Sequence, residues 1–131
     1  MGIVLDSSIL VSLERNGTIL DELNIVDDRD EVFISVITAS EILHGVFRAN
    51  SKKIKQKRSS FVESLIEQIP IIPIDLRIAR AHALLWSELT KSGSMIGMND
   101  SWIAATCIAH NMKLATLDKS DFSRVSGIEI V

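Results

Sequence analysis

The chain has no tyrosine, and two tryptophans and four phenylalanines are its only aromatics, 5% of its residues. Proteins that hold single strands by stacking bases need several exposed rings, so that mode of nucleic-acid binding is not expected. Cysteine occurs once, at Cys107, which excludes an internal disulfide and a cysteine-rich zinc site and fits a reducing compartment. Long apolar runs are missing. The longest stretch free of Asp, Glu, Lys and Arg is Ser101 to Met112, 12 residues, against the ~20 needed to cross a bilayer. Asp6, Glu14 and Arg15 interrupt the N-terminus, so no secretory leader is expected and the protein reads as cytoplasmic, with no membrane partner. An excess of positive charge is absent too. Fourteen Lys and Arg stand against 17 Asp and Glu, a net charge of −3, which gives no sign of a strongly basic nucleic-acid binder.

What is present is a chain of 131 residues, 47% of them hydrophobic, enough for one domain over residues 1–131 with a real core. Short apolar runs alternate with amphipathic stretches. Strands are expected at Ile3–Leu5, Val32–Ser35, Ile69–Ile74, Lys113–Thr116 and Ile128–Ile130, with Pro70 and Pro73 placing the third at a sheet edge. Helices are expected at Ile9–Glu14 with Asn16-Gly17 as its stop, at Thr18–Val26, and from Thr38 to about Asn50. A helix also runs through Phe61, Val62, Leu65 and Ile66. Two more are expected, at Leu76–Ser92 between an Asp75 cap and a Gly93 stop, and from Asn99 or Asp100 to His110. Strands alternating with helices imply an α/β fold, a mainly parallel sheet covered on both faces.

On such a sheet the C-terminal ends of strands and the N-terminal ends of helices share one edge, where ligands bind. Asp6 follows the first strand, Glu41 opens the helix after the second, Asp100 opens a later helix, and Asp118 and Asp121 follow the fourth strand. Each has a plain structural reading as well. Asp6 suits a helix cap. Thr38-Ala39-Ser40-Glu41 has the form of a capping box, with Thr38 at the cap and Glu41 three residues on. Asp100 suits the positive end of a helix, and Asp118 and Asp121 suit turns. If the acids instead converge, their mutual repulsion calls for a cation, and an all-oxygen donor set selects Mg²⁺ or Mn²⁺ over zinc. That chemistry fits hydrolysis of a phosphodiester by a metal-activated water.

The motifs go further. Val4-Leu5-Asp6-Ser7-Ser8, Ile34 to Val46 around Glu41, Asn99-Asp100-Ser101-Trp102-Ile103-Ala104-Ala105-Thr106 and Leu114 to Phe122 resemble the four acidic motifs of PIN domains, in order and spacing. Together they resemble the VapC toxins of bacterial type II toxin–antitoxin pairs. The resemblance implies a three-layer α/β/α domain with a five-stranded, mainly parallel sheet, and a Mg²⁺-dependent endoribonuclease activity. It also implies a homodimer and a VapB-type antitoxin that forms a hetero-oligomer with the toxin and inhibits it. Asp6 and Asp100 would then be the principal metal ligands, with Glu41 a further one. Asp118 is favoured over Asp121 as the fourth site acid, and the hydroxyl of Ser7 stands where the family often has threonine.

Arg48, Lys52, Lys53, Lys55, Lys57 and Arg58 fall within eleven acid-free residues. They read either as a solvated face or as contacts to an RNA backbone, for which Ser7 is a further candidate. Setting aside the five site acids leaves 12 acids against 14 bases, a surface charge of +2. Three histidines, His44, His82 and His110, form no ligand pair, and Cys107, Trp86 and Trp102 read as packing residues, the tryptophans also as candidate dimer contacts. Two other functions fit the same residues. One is a PIN nuclease of RNA processing or of structured DNA that has no antitoxin. The other is a binding module whose acids only cap helices.

Overall fold

The computed structural model describes residues 2–19, 22 and 29–131. Strand β1 (Gly2–Leu5) leads into α1 (Ser7–Asn16), which Gly17 ends in the left-handed conformation that glycine adopts without steric cost. Strand β2 (Glu31–Ser35) passes directly into α2 (Val36–Phe47), followed by α3 (Lys52–Gln68) and β3 (Ile71–Ile72). The second half holds α4 (Leu76–Ser92), α5 (Met98–His110), β4 (Lys113–Ala115) and the one-turn α6 (Lys119–Phe122). A helix expected at Thr18–Val26 lies mostly outside the described residues.

All pairings are parallel, in the order β3-β2-β1-β4. The sheet has four strands among the described residues. The fifth, expected at Ile128–Ile130, is reduced to a single parallel bridge between Leu114 and Ile130. β3 lies at an edge, where Pro70 removes no ladder donor and its carbonyl accepts from the Ile34 N–H at 3.1 Å. Side chains alternate across the sheet with the period of two that a strand imposes. Ile3, Leu5, Ile34 and Ala115 pack toward α1, α2 and α3, while Val4, Phe33 and Leu114 pack toward α4 and α5. Two apolar layers thus enclose a sheet whose central strand is fully buried at Ile3, Val4 and Leu5.

The helix boundaries bear on the acids. Ser35 caps α2, its Oγ accepting from the Ile37 N–H at 3.1 Å. The expected capping box at Thr38–Glu41 is therefore wrong. β2 runs into α2 without a loop, so the helix starts before Thr38, and Thr38 and Glu41 lie inside it. The basic stretch after Ser51 is likewise one continuous helix with the apolar residues around Phe61, capped by Ser51 at Ile54 N–H, 3.1 Å. Asp75 caps α4 as expected, accepting from Ile78 N–H at 2.9 Å.

The chain lays down β1, β2 and β3 outward on one side, then returns to place β4 on the other side of β1. The order therefore reverses between β1 and β4. Parallel sheets bind ligands in the crevice at the C-terminal ends of the strands at such a point.

Candidate active site

Asp6 leaves β1 at that reversal and is 4% exposed. It occupies the cap position of α1, but its side chain accepts no capping hydrogen bond from the helix backbone. Its Oδ2 instead accepts from the hydroxyls of Thr116 at 2.8 Å and Ser8 at 2.9 Å. Those hydroxyls also brace the loop after β4, accepting from the backbone N–H groups of Asp118 at 2.9 Å and Leu117 at 3.0 Å. One small network fixes the Asp6 carboxylate and the backbone that carries Asp118. Ser8 and Thr116 were not singled out by sequence reasoning, although both lie in the acidic motifs.

Asp118 sits at the start of α6 and makes no capping bond of good geometry, although the Asp121 N–H lies close enough to favour its ionised form. The wholly buried Phe122 anchors this single turn and so holds the Asp118–Asp121 loop against the core. Carboxylate oxygens of Asp100, Asp118 and Asp121 all lie within 4.8 Å of one another. The loop therefore brings both Asp118 and Asp121 to Asp100. Asp6, Ser7, Asp100 and Asp118 line one open cleft of about 530 Å³.

Glu41 enters from α2. Its Oε1 is buried without a hydrogen-bond partner, as is Thr38 Oγ1 one turn earlier. Burial, then the charge of Asp6, raises the Glu41 pKa, while Asn99 and Ser7 hold it back by hydrogen bonding to the ionised form. Asp100 lies in the first turn of α5, where the helix dipole favours a carboxylate. The dipole loses. Desolvation and the charges of Asp6, Glu41, Asp118 and Asp121 push the Asp100 pKa up to about 6. Asp118 is also raised, by desolvation and by Asp121 beside it. All five predicted acids thus share one field of negative charge.

The capping explanation separates cleanly here. Asp75, Ser35 and Ser51 each cap a helix through the side chain, at 2.9 Å, 3.1 Å and 3.1 Å. Asp6 and Asp118, in the same positions, do not. Elsewhere in the chain caps cap, and at this rim the carboxylates face one another. An all-oxygen set with an orphaned buried carboxylate oxygen fits a hard divalent cation, as carboxylates so placed need a partner.

The predicted RNA contacts divide. Ser7 opens, with the site acid Glu41, onto a second groove of about 280 Å³ between α1, α2 and α3, whose floor includes Leu10, Ile42 and Leu65 and whose wall carries Arg48. Arg58 is committed internally, donating to Glu14 at 3.1 Å and to the Gly45 carbonyl at 2.9 Å. Lys55 lies over the exposed Phe47 ring at 5.2 Å. Lys52, Lys53 and Lys57 are exposed on α3. Cys107 is buried, and burial followed by the Asp6 charge pushes its thiol up to about 12, so it is no nucleophile. Trp102 and Trp86 stack on the buried His82 at 3.7 Å and 5.6 Å between ring centroids.

The PIN-domain family profile matches residues 3–128. This chain belongs to the PIN-domain family. Within it, the chain is 32% identical over 131 residues to ribonuclease VapC1 of Rickettsia felis, covering 100% of this chain and 96% of that protein. Among solved structures, the VapBC2 complex of Rickettsia felis bound to a promoter DNA fragment superposes with a TM-score of 0.89. That match has 24% identity and covers 100% of this chain and 98% of that one. VapBC-5 of Mycobacterium tuberculosis, a member of the VapBC family of toxin–antitoxin systems, gives 0.80 at 28% identity over 99% and 97%. The acidic rim of this PIN domain thus lies in a fold shared, over nearly its whole length, with VapC proteins.

Proposed function

We propose that this chain is a VapC-type toxin, an endoribonuclease that hydrolyses RNA phosphodiester bonds with the help of a divalent cation and is held in check by a VapB-type antitoxin. The observation that carries the reading is the failure of the capping explanation. Asp6 and Asp118 stand at helix starts without capping them, and Glu41 keeps a buried oxygen unpartnered. A binding module whose acids only cap helices has no use for such an arrangement.

In this reading Asp6, Glu41, Asp100 and Asp118 hold the cation, and Asp121 adds charge beside them. The cation, Mg²⁺ or Mn²⁺, supplies a water of lowered pKa and offsets charge that develops on the phosphoryl group. The protein's own share is preorganisation. Ser8 and Thr116 fix the Asp6 carboxylate through Oδ2 before anything binds. Glu41 and Asp100, whose pKa values are raised by burial and by the neighbouring acids, gain most when a cation arrives. The buried Cys107 thiol, pushed up to about 12, is unavailable as a nucleophile, so the proposal routes hydrolysis through water.

The antitoxin reading rests on the relatives, several of which were solved as VapBC complexes. The groove between α1, α2 and α3 supports it, since an apolar floor opening beside the carboxylates suits an amphipathic segment that ends in a basic residue. A homodimer belongs to the same proposal.

The test is cleavage of total cellular RNA by antitoxin-free protein, with Mg²⁺ or with EDTA, beside an Asp100→Asn variant. Discrete fragments that need both Mg²⁺ and Asp100 are expected, with 5′-phosphate and 3′-hydroxyl ends. Equal cleavage in EDTA or by the variant would overturn the reading.

A further inference from the structure

Among the described residues, the cleft that holds Asp6, Asp100 and Asp118 has one basic residue on its wall, Arg15. It lies in the last turn of α1, exposed, and follows Ser8 on the same helix face by two turns. Arg15 also lines the neighbouring groove between α1, α2 and α3, so it stands where the two depressions meet. Arg48 caps the C-terminus of α2, seven residues after Glu41, and lies on the wall of that groove. Neither guanidinium group makes a hydrogen bond or ion pair among the described residues, whereas that of Arg58 in the same groove is engaged with Glu14 and Gly45. The helix dipole explains why a cation suits the end of α1. It does not explain an uncommitted guanidinium fork at the junction of an acidic cleft and a groove.

An RNA strand is a polyanion, and the five carboxylates repel it. Cations beside the cleft must offset that repulsion if the strand is to lie across it. We propose that Arg15 and Arg48 are phosphate anchors for the RNA strand. Arg15 holds a phosphate adjoining the one at the carboxylates, and Arg48 holds one further along the groove. The strand path then runs from the cleft toward α2 and α3. This rests on the ribonuclease reading and adds the path and its two contacts, one of which, Arg15, no motif marks.

The experiment is equilibrium binding of a fluorescein-labelled oligouridylate to the antitoxin-free protein in EDTA, followed by anisotropy across a salt series. Four variants are compared: Arg15→Gln, Arg15→Lys, Arg48→Gln and, as a control, Lys91→Gln. Lys91 is exposed on α4, across the sheet from the groove, and its loss removes the same charge. For Arg15→Gln and Arg48→Gln, binding weakens and the slope of log K against log salt flattens by about 0.7 each, the value for one phosphate contact on a single strand. The wild-type advantage then shrinks about threefold between about 50 and 200 mM KCl. Arg15→Lys keeps the slope and loses affinity, because the charge stays and the bidentate fork goes. Lys91→Gln matches wild type. Slopes for Arg15→Gln and Arg48→Gln equal to that of Lys91→Gln would overturn the proposal. So would wild-type protein that binds no RNA at low salt, or variants that lose only the antitoxin. Failure of the ribonuclease reading shows separately, as wild-type protein that cleaves no RNA with Mg²⁺.

Discussion

Asp100→Asn removes a proposed metal ligand, yet it should make the metal-free protein more stable at neutral pH. The Asp100 pKa rises from 3.8 to about 6 on folding, through desolvation and the four neighbouring acids. A carboxylate raised in the folded state costs nothing below its unfolded pKa, where both states are protonated. The penalty grows as pH rises from about 4 and is complete above about 6. Two units correspond to about 3 kcal/mol as a ceiling, and water in the open cleft screens this to about 1–2 kcal/mol. For a domain of this size that is a gain of about 3–8 °C in Tm. Thermal unfolding followed by circular dichroism in EDTA reads it directly. The variant should melt above wild type at pH 7.5, and the two should converge at pH 4. Added Mg²⁺ should raise the wild-type Tm and leave the variant nearly unchanged, which closes the gap. A variant no more stable at pH 7.5, or one with the same gain at both pH values, would refute the shared negative field.

Thr38→Val should be neutral or stabilising by about 1 kcal/mol in urea unfolding, because it removes a buried hydroxyl that has no partner; a capping role for Thr38 predicts a loss of similar size. Asp75→Ala should cost about 1 kcal/mol in the same assay while leaving RNA cleavage unchanged, since that side chain does cap its helix. His82 Nε2 lies 2.8 Å from Ser101 Oγ, which donates to the Met98 carbonyl in the first turn of α5. His82→Phe keeps a ring between the tryptophans but loses that donor, so it should destabilise by about 1–2 kcal/mol, and His82→Gln should recover part of this.

Much of the fold was legible because the period-two pattern of the strands and the three-and-four spacing of the helices were clean. α4 begins and ends where Asp75 and Gly93 say it should, and the edge position of β3 follows from its prolines. The capping box misled because its sequence form was intact. Only the direct passage of β2 into α2, with Ser35 taking the cap, showed that Thr38 lies inside the helix. The last strand was overread, since three apolar-patterned residues pair with β4 through one bridge. For the site, the topology of a parallel sheet was enough to gather the acids, and the structure brings Asp118 and Asp121 together at Asp100. The hydroxyl scaffold of Ser8 and Thr116 was not legible, because it joins side chains 108 residues apart. Arg15 was equally hidden, since its meaning lies in which depressions it borders and in having no partner.

The central claim is that acids far apart in sequence form one cation-binding centre, and Mn²⁺ binding tests it most directly. Isothermal titration of antitoxin-free protein with Mn²⁺, repeated for Asp6→Asn, Asp100→Asn and Asp75→Asn, requires no knowledge of the RNA. Wild type and Asp75→Asn should bind alike, and Asp6→Asn and Asp100→Asn should each lose affinity at least about tenfold, as expected when a metal ligand or its support is removed. Binding by Asp6→Asn and Asp100→Asn equal to wild type would contradict the claim.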